Sequence, residues 1–200
     1  MSDKYPFLCA ECLHSCTEFA EAPDTAMLHT EHPADDVACM YYFDEYIQKL
    51  VHLLKYQDMP FVGECLGERI GRVFRDKPAA GSDILLPVPL HPLRRRERGY
   101  NQSACIARGI AKIWKVPVET RLLKRCRNTQ SQTRLNREER QKNIRGAFQL
   151  RNIKKIPERI CIIDDVFTTG ATTLEIAGLL RESGAKQVHI LTLATPRKDQ

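Results

Sequence analysis

Two near-continuous apolar runs, RICIIDDV at residues 159–166 and QVHILTLAT at 187–195, limit what this chain can fold into. A strand with one face in water alternates apolar and polar residues, whereas a strand covered on both faces reads as an unbroken apolar run. Between the two lies AGLLRES, a helical segment closed by Gly184. Strand, helix, strand is a βαβ unit, which implies a right-handed crossover in a parallel sheet with helices on both faces. A further buried strand is predicted in DILLPVPL, which follows Gly81 and Ser82 and precedes basic residues. Ile47, Leu50, Val51 and Leu54 recur at i, i+3, i+4, i+7 and predict an amphipathic helix over about residues 44–59, ended by Pro60. Leu66, Ile70 and Val73 carry the stripe of a second helix. Ile106, Ile110 and Ile113 mark a third over 101–114, ended by Pro117. The class is α/β.

Composition excludes the other broad classes. With 42% hydrophobic and 28% charged residues, 10 Gly and 11 Pro, a chain of 200 residues can build a real core and is neither fibrous nor of low complexity. No apolar run approaches the roughly 18 residues that a membrane-spanning helix needs. MSDKYPFLC has no apolar stretch after Lys4, so no secretory signal is read there and the expected location is the cytoplasm. The net charge of +6 is unevenly spread: residues 1–40 hold eight acidic side chains against Lys4 alone, and residues 121–145 hold nine basic ones against Glu138 and Glu139. A basic stretch suits a solvated face, a phosphorylated ligand or nucleic acid, and its sign does not choose among them.

Eight cysteines without a secretory signal read as thiols or metal ligands rather than a disulfide framework. Cys9, Cys12 and Cys16 are clustered and Cys39 follows, whereas Cys65, Cys105, Cys126 and Cys161 stand singly as core filler or bystanders. Residues 18–36 lack periodicity and read as a long loop in a small N-terminal module. The expected domains are therefore a Cys-rich module at 1–40 and an α/β domain at 41–200.

Residues 159–173, RICIIDDVFTTGATT, carry the chemistry. Asp164 and Asp165 end a buried strand at its carboxyl edge, where open parallel sheets bind ligands. The following VFTTGATT turns into a helix whose N–H groups, dipole and threonine hydroxyls face one small volume suited to phosphate. Gly170 lets backbone approach closely, and Thr168, Thr169, Thr172 and Thr173 offer neutral donors. Two acids beside an anion nest would repel a phosphate unless they face sugar hydroxyls or a hydrated divalent cation. A ribose phosphate satisfies both halves.

This run resembles the thirteen-residue signature of type I phosphoribosyltransferases, without a gap over residues 160–172. LLPVPLHPLRRRERGYNQS and TQSQTRLNREERQKNIRGAF, with IQKLVHLLKY ahead of them and the Cys-rich start, are similar to the ComF family. The resemblance covers nearly the whole chain. It implies a type I phosphoribosyltransferase fold, a parallel sheet flanked by helices, fused to a small zinc-binding module in proteins tied to DNA uptake during competence.

By that resemblance Asp164 and Asp165 contact the ribose hydroxyls of phosphoribosyl pyrophosphate, while Val166, Phe167, Thr168, Thr169, Gly170, Ala171 and Thr172 cradle its 5′-phosphate. Arg94 and Arg98, in the basic segment after the DILLPVPL strand, would meet the diphosphate with Mg²⁺, and Lys55, a family-typical basic residue at a helix end, is a further candidate for it; Arg forks pair bidentately with phosphoryl oxygens. The wider class often has a strained cis peptide here, around Pro89 and Leu90 in this chain. Residues 128–148 sit where many of these enzymes carry a mobile loop over the reacting carbon, with Thr129, Gln132, Leu135, Arg140, Asn143 and Phe148 matching the family pattern. A structural zinc would be held by Cys9, Cys12, Cys16 and Cys39, with His14, His29 or His32 as substitutes. The acceptor base is expected to be read by a hood element, assigned to the N-terminal module. Two functions follow: transfer of ribose 5-phosphate to a nitrogenous acceptor, or a non-catalytic competence protein that assists single-stranded DNA uptake. For the second, few aromatics lie between the basic residues, with Tyr100 and Phe148 the nearest.

Overall fold

The computed structural model describes residues 32–127, 143–151 and 155–197. Four parallel strands form the main sheet: β1 (Asp36–Tyr42), β2 (Ile84–Pro87), β5 (Arg159–Val166) and β6 (Gln187–Thr195), in the order β1-β6-β5-β2. The two continuous apolar runs are the two central strands, in register from Arg159 opposite Gln187 to Val166 opposite Ala194. Beyond β2, Leu85 bridges in parallel to Val118, and the Leu85 N–H donates to the Pro117 carbonyl at 2.9 Å. A second, antiparallel pair joins β3 (Leu123–Arg125) to β4 (Phe148–Leu150).

Side chains alternate between two cores because strand residues alternate between faces. Cys161, Ile163, Leu191 and Leu193 pack under α1 (Glu45–Tyr56), α2 (Pro60–Val73) and α4 (Gln102–Trp114). Ile160, Ile162, Val188 and Ile190 pack under α5 (Ala171–Glu182) and the β3–β4 pair. Helix ends follow local chemistry. Asp44 caps α1 by accepting the Ile47 N–H at 2.9 Å, and Asn101 caps α4 by accepting from Ser103 at 3.0 Å and Ala104 at 3.4 Å; such caps contribute about 1 kcal/mol each.

Several expectations change. Helix α2 exists, but Val73 is 53% exposed and lies off its buried face, which is made by Val62, Leu66 and Ile70 together with Gly63, Gly67 and Gly71. Glycines at four-residue spacing let α2 and α4 touch backbone to backbone. A Cβ on Gly67 would lie 2.1 Å from the Ile106 carbonyl oxygen, and one on Gly109 would lie 2.1 Å from that of Glu64. Helix α4 stops at Lys115, whose left-handed φ of 62° ends the turn before Pro117 is reached. The basic segment after β2 is a short helix, α3 (Pro92–Arg98), opened by Pro92 and closed by Gly99 at φ 79°. All described peptide bonds are trans, those at Pro89 and Leu90 included. Finally, DVACMYY is a sheet strand: β1 runs across position 40, so residues 36–40 belong with the α/β unit and not with an N-terminal module. Cys9, Cys12 and Cys16 lie outside the described residues. No described helix is long and apolar enough to cross a membrane.

Candidate functional site

The carboxyl ends of β2 and β5 open onto one crevice, where Asp164 and Asp165 end the β5 run. Although adjacent, they occupy different environments. Asp165 is 5% exposed, pairs with the Lys55 ammonium from the last turn of α1, and accepts from Gln102 Nε2 at 3.3 Å. Asp164 is half-buried; its Oδ1 accepts from Ser103 Oγ at 2.9 Å and from the Asp165 N–H at 2.9 Å. Burial pushes both acids upward. In Asp165 the Lys55 charge outweighs it and holds the carboxyl below its ordinary range. In Asp164 the repulsion from Asp165 adds to burial, and the group is pushed up to about 8. Burial likewise works against the Lys55 ammonium, and the adjoining carboxylate overcomes it, so Lys55 lies above the usual lysine value.

After Val166 the chain turns sharply. The Phe167 N–H donates to the Ala194 carbonyl at 2.8 Å and its ring lies beneath Gly170, where a Cβ would come within 2.6 Å of it. Phe167 is thus the floor of the cradle rather than a donor in it. Gly170, at φ 72°, heads α5 and its carbonyl accepts from Leu174 at 2.8 Å and from Thr173 Oγ1 at 3.2 Å. Thr173 is therefore turned into the helix and out of the donor set expected from sequence. Thr169 Oγ1 accepts the Ala171 N–H at 3.4 Å, while Thr168 is exposed and Thr172 half-buried. The opening turn of any helix leaves its N–H groups without intrahelical partners, and here no side chain of the N-cap residue covers them.

Beside the acid pair, Lys55, Tyr56, Arg94, Arg96, Arg98 and Gly99 line a cleft of about 470 Å³, to which Asp58 and Glu97 add two carboxylates. Arg94 and Arg98 are half-buried on one side of α3, and Arg95 and Arg96 are exposed. Arg98 donates to Gln102 Oε1 at 2.5 Å and stacks over Tyr56 at 5.6 Å from the ring centroid. The α3–α4 corner is pinned twice: the Tyr100 hydroxyl donates to the Leu54 carbonyl at 2.6 Å, and Asn101 Nδ2 donates to the Val88 carbonyl at 2.9 Å. Arg125 of β3, partly buried, stacks on Phe148 at 5.4 Å and feels the charges of Asp164 and Arg94.

Gln102 and Ser103, which hold the acid pair, were missed as site residues. Their signal was the N-cap Asn101 just after a basic helix, which aims the first turn of α4 at the sheet edge. Tyr56, 65% exposed, brings an aromatic face to the basic cleft that sequence spacing did not indicate. The β3–β4 pair lies beside α5, while residues 1–31 of the N-terminal module, to which the hood was assigned, lie outside the described residues. Thr129, Gln132, Leu135 and Arg140 lie outside the described residues, whereas Asn143 is half-buried and Phe148 is buried on β4.

The metal expectations meet two obstacles. Mg²⁺ is held by one or two carboxylates together with waters and substrate phosphates; among the described residues no group of three His, Cys, Asp or Glu cages it, and Asp165, already matched by an ammonium, does not fit it while that pair stands. Cys39 does not fit a zinc site either. It is buried on β1 inside the sheet, its Sγ 2.8 Å from Thr192 Oγ1 on β6, so its sulfur is engaged within the core.

A parallel sheet covered on both faces, with an acid pair at the carboxyl end of a central strand and a glycine-headed helix directly after it, is the type I phosphoribosyltransferase fold. The chain is 28% identical over 166 residues to competence protein F of Haemophilus influenzae, covering 80% of this chain and 72% of that one. It belongs to the ComF family. It is also 31% identical to DNA utilization protein YhgH of Salmonella typhi, over 72% of this chain and 65% of that one, and 33% identical to competence protein ComFC of Streptococcus pneumoniae, over 53% of this chain and 45% of that one. No family model matches. Among solved structures it is similar to a glutamine phosphoribosylpyrophosphate amidotransferase from B. subtilis, with TM-score 0.44 and 22% identity over 66% of this chain and 26% of that one.

Proposed function

We infer that the crevice binds phosphoribosyl pyrophosphate and transfers its ribose 5-phosphate to a nitrogenous acceptor, releasing pyrophosphate. The observation that carries this reading is one of adjacency. The acid pair runs directly into the Gly170-headed helix end, and Lys55, which pairs with Asp165, also lines the cleft with Arg94 and Arg98, so groups suited to hydroxyls, monophosphate and diphosphate follow one another. Asp164 and Asp165 would accept from the ribose hydroxyls, Thr168, Thr169 and Thr172 would orient the 5′-phosphate, and the two arginines would meet the leaving group. Catalysis is then positional and electrostatic: the C1–O bond to diphosphate breaks, the acceptor nitrogen bonds to C1, and the arginines neutralise the departing charge. Mg²⁺ enters only as a counterion carried on the diphosphate. Calorimetry with phosphoribosyl pyrophosphate tests binding, and a screen of nitrogenous bases for pyrophosphate release tests turnover.

A second reading, a non-catalytic role in the uptake of single-stranded DNA, draws support from the names of the relatives and from Tyr56 and Arg98, an exposed aromatic and a cation side by side. Binding of oligonucleotides that survives loss of both aspartates would favour it, because a surface for the phosphate backbone has no use for an acid pair. A structural zinc at Cys9, Cys12 and Cys16 would need a fourth ligand other than Cys39.

A further inference from the structure

The acid pair poses an electrostatic problem that the chain solves internally. Two adjacent carboxylates at the end of a buried strand repel each other and any phosphate that approaches, and a bound divalent cation is the usual remedy. Here the described residues offer no metal cluster, and an ammonium already stands on Asp165. Three observations make Lys55 more than an incidental surface partner. It belongs to the last turn of α1, and the adjoining Leu54 carbonyl is held by the Tyr100 hydroxyl, so the helix end cannot drift from the site. Its side chain is 24% exposed, and the same residue lines the cleft with Arg94 and Arg98. An ammonium carries three donors, so pairing with Asp165 leaves others for ligand oxygens on the cleft side.

We propose that the Lys55 ammonium occupies the place of a divalent cation at the acid pair, bridging the carboxylates to the diphosphate cleft and making ligand binding independent of a protein-bound metal. Its consequence for phosphoribosyl pyrophosphate rests on the function proposed above; the place of the ammonium rests on the geometry alone. A lysine in this position does what a cation would do without needing six oxygens arranged around it. It balances one carboxylate and presents positive charge to the ligand. Removing it re-creates a site that wants a cation, and Mg²⁺ from solution should then fill the gap.

Calorimetry on the full chain with phosphoribosyl pyrophosphate, in excess EDTA and in saturating Mg²⁺, reads the effect. Because Mg²⁺ also rides on the diphosphate, each variant is read against wild type in the same buffer. Lys55→Gln should lose about tenfold or more in EDTA, the scale of a lost charged hydrogen bond, and recover most of it in Mg²⁺. Lys55→Arg, which keeps the charge, should behave as wild type. Equal losses for Lys55→Gln in both buffers, each relative to wild type, overturn the proposal. Melting curves with Mg²⁺ alone, without the sugar phosphate, separate this from the ligand assignment. Mg²⁺ should raise the melting temperature of Lys55→Gln and leave wild type unmoved; shifts that are equal or absent in both count against the proposal. Lys55→Met, which keeps the length of the stem, replaces the amide variant if that one fails to fold. A wild type that ignores phosphoribosyl pyrophosphate in both buffers overturns the ligand reading, while the Mg²⁺ melting difference still decides the place of the ammonium.

Discussion

The contact between α2 and α4 and the end of β5 resolve opposite problems. At the helix contact the closest approach is made by backbone alone: Gly67 and Gly109 bring two backbones together, any added atom collides with a carbonyl oxygen, and Arg108 and Lys112 pair with Glu64 and Glu68 at its exposed margin. At the strand end every group is polar, and the two neighbouring aspartates pull in different directions, Asp165 settled by Lys55 and Asp164 left with its repulsion. The first region concentrates stability through close packing, and the second gives some of it up to hold an arrangement a ligand can complete. Separating the two by mutation is therefore informative.

The largest effect on folding is expected at the helix contact. Gly109→Ala places a methyl against the Glu64 backbone, and the helices must separate to admit it, costing at or above the upper end of the roughly 1–3 kcal/mol usual for overpacking. Denaturant unfolding measures it, and a loss too small to detect would mean that α2 and α4 slide freely. Next comes Asp165→Asn, which leaves the Lys55 ammonium largely buried without its carboxylate. A loss of about 3 kcal/mol is expected, at the low end for broken buried pairs because Lys55 keeps some solvent contact. Phosphoribosyl pyrophosphate binding should vanish with it. If the same variant were as stable as wild type, the pair would have no structural weight.

Asp164→Asn sharpens the comparison by acting in the other direction. Its carboxyl is pushed up to about 8 in the fold from an ordinary value of 3.8. The native state therefore holds a proton that the unfolded chain has lost, and stability contributed by this group falls as pH rises from about 4 to about 8. The Lys55–Asp165 pair has the opposite sign on its acid side: with Asp165 below and Lys55 above their ordinary values, its contribution is full at neutral pH and is lost as pH drops through the Asp165 value. The amide variant should melt higher than wild type at pH 8, by on the order of 1 kcal/mol, and no higher at pH 4. Melting curves at the two pH values check this, and a gain of equal size at both would remove repulsion as the cause.

Smaller effects belong to the cleft and the core. Arg94→Ala is expected to weaken phosphoribosyl pyrophosphate about tenfold while changing ribose 5-phosphate less, since a charged hydrogen bond to the diphosphate is worth roughly 1.5–3 kcal/mol. Arg98→Ala should show the same preference with an added loss for both ligands, because Arg98 also steadies Gln102 beside Asp165. Equal losses for both ligands in Arg94→Ala would take that residue out of the diphosphate role. Least of all, Cys39→Ala should leave the zinc content of freshly purified protein unchanged, because its thiol is committed to Thr192 inside the sheet. Metal analysis decides that.

Much of this was legible in the chain itself. Residues 159–166 and 187–195 became the central strands at the bounds read from sequence, since burial on both faces writes an unbroken apolar run. Asp44, Asn101 and Gly184 marked helix ends because capping and left-handed turns are local events. By contrast DVACMYY was passed over as the edge of a module. As an edge strand it has a neighbour only in β6, far away in sequence, and nothing nearby reveals that pairing. The glycines of α2 carry no local signal for a similar reason: counted alone they weaken a helix, and only α4 turns them into a contact face.

Sequence alone therefore determined the parallel α/β plan, its two central strands and the acid pair at a strand's carboxyl end, because periodicity, capping and turn chemistry act over a few residues. Which side chains meet that pair was decided by the fold. Gln102 stands 63 positions from Asp165 and Ser103 stands 61 from Asp164, while Lys55 arrives on another helix. The same step removed Cys39 from the zinc set and Thr173 from the phosphate cradle, since both side chains point into a core that exists only once the strands and α5 have packed. Charge balance at a buried site is a sum over groups brought together through space, and such a sum has no local signature in the chain.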